Sequence, residues 1–383
     1  MINFTRTKVT DTLTMVSLGD VHLGHPKTPT SLIIKNLDRY CTNETVLRDV
    51  DILVITGDLY DRLLSNSDEN AYLIDRWITR LMFLCARLDV LVRIVEGTPS
   101  HDRLQCRFFT EQQANAQILV DLHYATTLSI EYIERFNIYV LYVPDKWRPD
   151  TTETLREVQL EMRKLDLEKV DFAIMHGAFE YQLPDVVKEP THDSETYLEL
   201  VRYFVYIGHV HLLNPKERIL PAGSYDRLTH GEEEPKGFFR TTVRADGTYT
   251  ATFIENKGAK IYKTLDCSGM EIKEANVVLR EAMTTYPKGS AFRIRHLAHD
   301  PIAGDLKTIQ DTYPDWEWTL TKVDLGPKER ETLDNLLKTE MEELSVITHD
   351  TIIALTRPEL ERHTSDVATQ QRCQELLKEI ITA

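Results

Sequence analysis

The chain has little cysteine and none of it closely paired: Cys41, Cys85, Cys106, Cys267 and Cys373 include no Cys-x-x-Cys. That excludes a disulfide framework and a zinc ribbon, and fits a reducing compartment. No run approaches roughly 18 uninterrupted apolar residues, so no membrane-spanning helix and no membrane partner are expected. Residues 1–6 lack the apolar stretch of a signal peptide, which makes a cytoplasmic location the expectation, and the modest length fits a bacterial or phage protein. Positive charge is also in deficit: 45 Lys+Arg stand against 61 Asp+Glu, a net charge of -16, so nucleic acid is not bound through overall basicity. Any polyanion must be held locally. There is no GxxxxGK[ST] loop and no GxGxxG turn, hence no evident nucleotide-driven motor within the chain. Internal repeats and low-complexity tracts are absent too.

What is present describes a globular protein. Hydrophobic residues make up 42% and charged residues 28%, which excludes a disordered chain, and 383 residues predict a main domain with one or two smaller modules. Short apolar runs without alternation, at 14–18, 52–55, 90–95, 138–143, 172–175 and 203–207, are rich in β-branched residues and read as buried strands. Amphipathic stretches over 71–88 and 151–167 separate some of them. This is the rhythm of a layered α/β protein. After about Gly258 the pattern becomes strand (261–265), helix (271–285), strand (291–295), short helix (302–311) and strand (316–323), a small α+β domain. Two helices are expected beyond it, at 327–344 and 358–381, each opening on Pro. The expected domains are therefore 1–258, 259–325 and 326–383.

Five of the apolar runs end alike: Gly19-Asp20-Val21-His22, Gly57-Asp58, Gly97 leading to Ser100-His101-Asp102, His176-Gly177, and Gly208-His209-Val210-His211. Polar groups therefore gather at strand C-terminal ends, the edge where α/β sheets bind ligands. Residues i and i+2 point the same way, so Asp20 with His22, and His209 with His211, can each grip one cation. A single histidine of this kind is usually an ordinary hydrogen-bonded residue; four of them at strand ends are better explained as a site. Six nitrogen and oxygen ligands without cysteine suit two divalent ions, with Asp58 short enough to bridge them. Two carboxylates contribute about -2 against +4 from the ions, a local surplus that draws phosphate to an acidic protein.

These motifs resemble the calcineurin-like metallophosphoesterases, whose pattern runs DxH, GDxxD, GNH(D/E), H and GHxH. All but the third are intact, with Asp58-Leu59-Tyr60-Asp61 completing GDxxD. Gly223-Ser224-Tyr225-Asp226-Arg227, followed by Glu232 to Phe238, resembles the GSxxR…E…KGF segment of Mre11/SbcD-type nucleases and their phage counterparts. The resemblance covers residues 13–258 by motif. It implies a metallophosphoesterase β-sandwich flanked by helices, with a capping domain and a helical tail. It further implies that Asp20, His22, Asp58 and His211 hold one ion and Asp58, His176 and His209 the other, Mn²⁺ foremost, with Mg²⁺, Fe²⁺ or Zn²⁺ as alternatives. In the third motif Ser100 stands where the family has a ligand asparagine. His101 corresponds to the family's proton-donating histidine, with Asp102 as its orienting partner. The implied function is a DNA exo- and endonuclease for end processing, repair and recombination, working with a Rad50/SbcC-like ATPase gripped by residues 326–383 and dimerising through the helix at 71–88. Alternatives are a phosphoesterase for a small molecule or phosphoprotein, and a binding subunit with a weakened site. Other readings are open. The segment 142–149 either touches a nucleic-acid strand or is an ordinary loop; Phe179, Tyr181 and His25 line a cleft or pack; Arg227 and Lys236 meet phosphate or pair with Glu232 to Glu234.

Overall fold

The computed structural model describes residues 12–65, 67–184, 186–323, 369, 371–373 and 376. In chain order the elements begin β1 (Thr12–Leu18), α1 (Thr30–Tyr40), α2 (Glu44–Leu47), β2 (Ile52–Ile55), α3 (Glu69–Leu88), β3 (Leu91–Val95), α4 (Arg107–Asn115) and β4 (Leu122–Ala125). There follow β5 (Ser129–Ile133), β6 (Ile138–Val143), α5 (Thr151–Lys164), β7 (Val170–Gly177), α6 (Ser194–Leu200), β8 (Val201–His209), β9 (Ile219–Pro221), β10 (Gly237–Arg244) and β11 (Tyr249–Glu255). The last are β12 (Tyr262–Asp266), α7 (Ile272–Thr285), β13 (Ala291–His296), α8 (Leu306–Thr312) and β14 (Glu317–Lys322).

Two sheets carry the main body, ordered β11-β10-β1-β2-β3-β4 and β5-β6-β7-β8-β9. Their facing surfaces share one core: Met15, Val54 and Val95 from the first sheet meet Val140, Phe172, Ile174 and Tyr206 from the second. The outer face of the first sheet, through Val16, Leu53 and Ile94, packs on Ile33 and Leu37 of α1 and Trp77, Ile78 and Leu81 of α3. The outer face of the second, through Val143, Ala173 and Val205, packs on Val158 and Met162 of α5 and Tyr197 of α6. The chain is thus a four-layer helix, sheet, sheet, helix sandwich, the layered α/β architecture expected. Strands buried on both faces need apolar residues at every position, which is why their sequence runs do not alternate. At roughly 1.5–3 kcal/mol per fully buried large apolar side chain, these three cores dominate the favourable side of folding.

Local chemistry sets the helix limits. Asp68 caps α3 by accepting the Asn70 N–H, and Asp89 ends it in the left-handed conformation, φ 59°. The apolar face of α3 is Ile74, Trp77, Ile78, Leu81, Met82 and Cys85. Helix α5 opens on the Asp150 cap and stops at Lys164, short of the expected 167, because Asp166 turns left-handed with φ 53°. The expected helix at 302–311 is two pieces, a 3₁₀ turn at Pro301–Gly304 and then α8, separated by the non-helical Asp305.

The small sheet is ordered β12-β13-β14 and packs on α7 through Leu265, Phe292, Ile294 and Leu279. It joins the sandwich through Lys260, whose ammonium donates to Glu317 at 2.7 Å and to the Lys27 carbonyl at 2.8 Å. Thr28 adds a 2.9 Å bond to Tyr262. Contacts divide the chain at Thr321 into two units. The tail helices expected at 327–344 and 358–381 lie outside the described residues, except that Thr369, 371–373 and Leu376 are helical. Among the described residues no helix is long and apolar enough to cross a membrane.

Candidate metal centre

In the first sheet β1, β2 and β3 run parallel, and in the second β7 and β8 do so. The residues after β1 and β2 and at the ends of β7 and β8 meet at one edge, where the two sheets face each other. Three groups of donor atoms form there among the described residues, Asp20 with His22 and His211, Asp58 with His176 and His209, and His22 with Asp61 and His101, each with its atoms within 4.8 Å of one another; the first two are the ones the sequence motifs pair. Asp58 lies between the first two groups: its Oδ2 is 3.3 Å from His176 Nε2 and 4.0 Å from His22 Nε2. His211 Nε2 is 3.0 Å from His22 Nε2 and 4.0 Å from Asp20 Oδ1. The first two groups are the six aspartates and histidines singled out in the sequence.

The backbone is bent to aim them. Asp20, His22, Asp58 and His209 all have positive φ, at 48°, 52°, 48° and 109°. Such conformations cost side-chain-bearing residues of order 1–3 kcal/mol each and persist only when neighbours hold them. Here the Val21 and His22 N–H groups both donate to the Asp58 carbonyl, at 2.9 and 3.1 Å, and the His209 N–H donates to Asp20 at 2.8 Å. Each imidazole is oriented from behind. His176 Nδ1 donates to the Thr56 carbonyl at 2.6 Å, turning Nε2 toward Asp58. His211 Nδ1 faces Glu232 at 3.2 Å, and His209 Nε2 faces Glu189 at 3.4 Å. Ligand histidines characteristically have such partners on the far nitrogen.

The electrostatics favour cations. Burial alone would raise the Asp58 pKa, but His176 and then His22 hold its carboxyl far below the usual range. Burial works against charge on His176, yet Asp58 raises that imidazole to about 10. His211 is also raised against its burial, by Glu232 and Asp20, and Glu232 is lowered to about 2 by His211 and Lys236. Carboxylates that stay ionised here and imidazoles that favour positive charge mark a negative potential, which a divalent ion would meet while displacing the imidazole protons. The donor set of nitrogen and carboxylate oxygen fits a borderline or hard divalent metal.

The third motif behaves differently from its sequence reading. Ser100 is exposed, and the hydroxyl that stands in the cluster is Thr98's. Asp102 does not orient His101. It is fully buried, and its carboxylate accepts the N–H groups of Asp58, Gly97 and Tyr60, each at 3.0 Å, clamping two ligand loops together. Burial and the nearby Asp58 raise its pKa to about 8. His101 is instead fixed by the Asp61 carbonyl, which accepts from Nδ1 at 2.6 Å, while its ring lies edge-on to His22 with centroids 4.8 Å apart. Asp61 also sets a carboxylate oxygen 3.3 Å from His22 Nδ1.

The Gly223-to-Phe238 segment supplies bracing. Glu232 is gripped by the Ser224 hydroxyl and the Leu228 N–H, both at 3.1 Å, and by Lys236 at 3.3 Å. Lys236 is buried and donates to the His211 carbonyl at 2.8 Å. Arg227 reaches the Ala259 and Lys260 carbonyls. Both cations are therefore structural. Phe179 is wholly buried, packed against Tyr181 and Tyr197. His25 Nδ1 accepts from the Lys27 and Thr28 N–H groups. A narrow cleft beside the second donor group is lined by Asp145, Lys146, Trp147, His176, His192 and His209. Arg148 stacks on Trp147 and pairs with Glu157 at 2.9 Å.

His192, on the wall of that cleft, allows a test of the fold itself. Burial lowers its pKa from 6.5 to about 4. The unfolded chain takes up that proton below pH 6.5 while the folded chain refuses it until about 4, so stability falls as pH drops through this window. The share lost between pH 7.5 and 4.5 is about 2.5 kcal/mol at roughly 1.36 kcal/mol per unit. Urea midpoints at the two pH values should converge in His192→Phe; an unchanged pH slope contradicts the assignment.

No family model matches the chain, and no curated protein matches it. Among solved structures 38 chains match. One crystal structure is 10% identical, covering 64% of this chain and 100% of its own, at a TM-score of 0.38. TT1561 of Thermus thermophilus is 9% identical, covering 63% of this chain and 98% of its own, at a TM-score of 0.35.

Proposed function

We propose that the chain is a metal-dependent phosphodiesterase, and specifically the nuclease subunit of an Mre11-Rad50/SbcCD-like complex acting on DNA ends. The observation that carries the reading is the pair of Asp/His donor groups sharing Asp58 at one sheet edge. Asp20, His22, Asp58 and His211 would hold one divalent ion, and Asp58, His176 and His209 the other. Ions so held supply an activated water and neutralise charge on the phosphate. His101, with Nδ1 committed to Asp61, offers Nε2 to protonate the leaving oxygen. Lys146 and Trp147 flank the second group and supply the cation and aromatic face that a nucleotide strand uses.

Support for the DNA reading over a small-molecule one comes from the Glu232 brace, which gives the nuclease-type GSxxR-to-KGF segment a definite place behind His211. Dimerisation through α3 belongs to the same proposal; Tyr72 and Phe83 on that helix are 64% and 52% exposed. The ATPase contact is proposed for residues 326–383. The test is Mn²⁺-dependent cleavage of duplex DNA and of bis-(p-nitrophenyl) phosphate by wild type and His211→Ala, with and without a candidate ATPase. Wild type should prefer the polymer, and the variant should lose at least roughly 10²-fold on both, more than an outer-sphere partner typically contributes. Equal activity of the two proteins removes the site, and preference for the small ester leaves only a general phosphoesterase.

A further inference from the structure

We propose that Thr98 Oγ1 is the remaining protein ligand of the second ion site. This rests on the two-ion reading above and assigns to Thr98 the place that the sequence pattern gives to Ser100. The hydroxyl lies 3.0 Å from Asp58 Oδ2, 3.2 Å from His176 Nε2 and 3.4 Å from His209 Nδ1. Asp58 Oδ2 and His176 Nε2 are themselves 3.3 Å apart. An ion with bonds of about 2.1 Å has neighbouring donors about 3.0 Å apart in an octahedron and about 3.4 Å apart in a tetrahedron. Four of the six distances among these donors therefore match one coordination shell, and the Asp58, His176 and His209 donors lie within 4.8 Å of one another.

The hydroxyl donates to Asp58 Oδ2 and keeps lone pairs free to face an ion. Thr98 is also preorganised: its own N–H donates to Asp58 Oδ1 at 2.6 Å, and the following Pro99 and its β-branch restrict both backbone and χ1. A neutral hydroxyl is a poorer donor than an amide carbonyl, so the second site is the weaker of the two.

The test is Mn²⁺ binding to the full chain by calorimetry and electron paramagnetic resonance. Wild type should take two ions with unequal affinity. Thr98→Val should weaken the looser site by roughly 10-fold or more, on the scale by which a single shell partner changes metal affinity. Thr98→Ser should restore it, Thr98→Asn should tighten it, and Ser100→Ala should leave it unchanged. The assignment is overturned if Thr98→Val keeps both wild-type affinities, or if Ser100→Ala is the variant that loses the weaker one. Wild type binding fewer than two ions overturns the two-ion reading beneath it.

Discussion

Asp58→Asn is expected to abolish metal-dependent phosphodiester hydrolysis and to lower the affinity of both ion sites together. Asp58 is the one carboxylate placed between the two donor groups, 3.3 Å from His176 Nε2 and 4.0 Å from His22 Nε2. An amide keeps the shape but loses the charge, and its NH₂ must face either the imidazoles or the Thr98 N–H that now donates to Oδ1 at 2.6 Å. The loss should exceed the roughly 10–100-fold typical of an outer-sphere partner. Other ligand variants should strike one site harder than the other. Steady-state cleavage and Mn²⁺ calorimetry measure both quantities, with a urea midpoint to show that the fold survives. Activity within tenfold of wild type, or one site left untouched, would contradict the bridging role.

Gly57→Ala is expected to destabilise the fold by about 3 kcal/mol or more and to unseat the neighbouring Asp58. A Cβ there meets His176 Nδ1 at 2.4 Å and the Gly97 Cα at 2.7 Å, and the residue sits at φ 83°. Overpacking typically costs 1–3 kcal/mol, and a left-handed conformation adds roughly 1–2 kcal/mol for a residue with a side chain. Neither neighbour yields easily. Gly97 is backbone, and His176 is pinned to the Thr56 carbonyl at 2.6 Å. Urea unfolding should show a lower midpoint with an unchanged slope. A wild-type midpoint would mean that the two loops are not in contact at this point.

The six buried central strands and the helices α3 and α5 were legible because double-sided burial and a one-sided helix face write strong patterns into sequence. The hairpin of β10 and β11 was not, since one of its strands is mostly exposed, although Asp246-Gly247 in its turn is a hairpin signal. Helix α1 is less legible because its buried face mixes the polar Thr30 and Asn36 with Ile33 and Leu37, which blurs the apolar stripe although Pro29 marks its start. The aspartates and histidines that gather at the sheet edge were readable from their shared place after apolar runs. Thr98 was missed for a different reason: a hydroxyl has no signature of its own, and proximity to His101 in sequence favoured Ser100. The same proximity suggested Asp102 as the partner of His101, whereas the fold brings the Asp61 carbonyl there. Glu232 is 21 residues from His211, a separation over which sequence spacing says nothing about contact.

The donor atoms come from both sheets. Asp20, His22 and Asp58 follow strands of one; His176 and His209 end strands of the other, and His211 lies just beyond. Cations gathered among them would act as rivets across the seam of the sandwich, adding to the bonds from His209 N–H to Asp20 and from His176 to the Thr56 carbonyl that already cross it. The supply of free metal would then enter the folding equilibrium itself, and starvation for it would slacken the molecule along that seam.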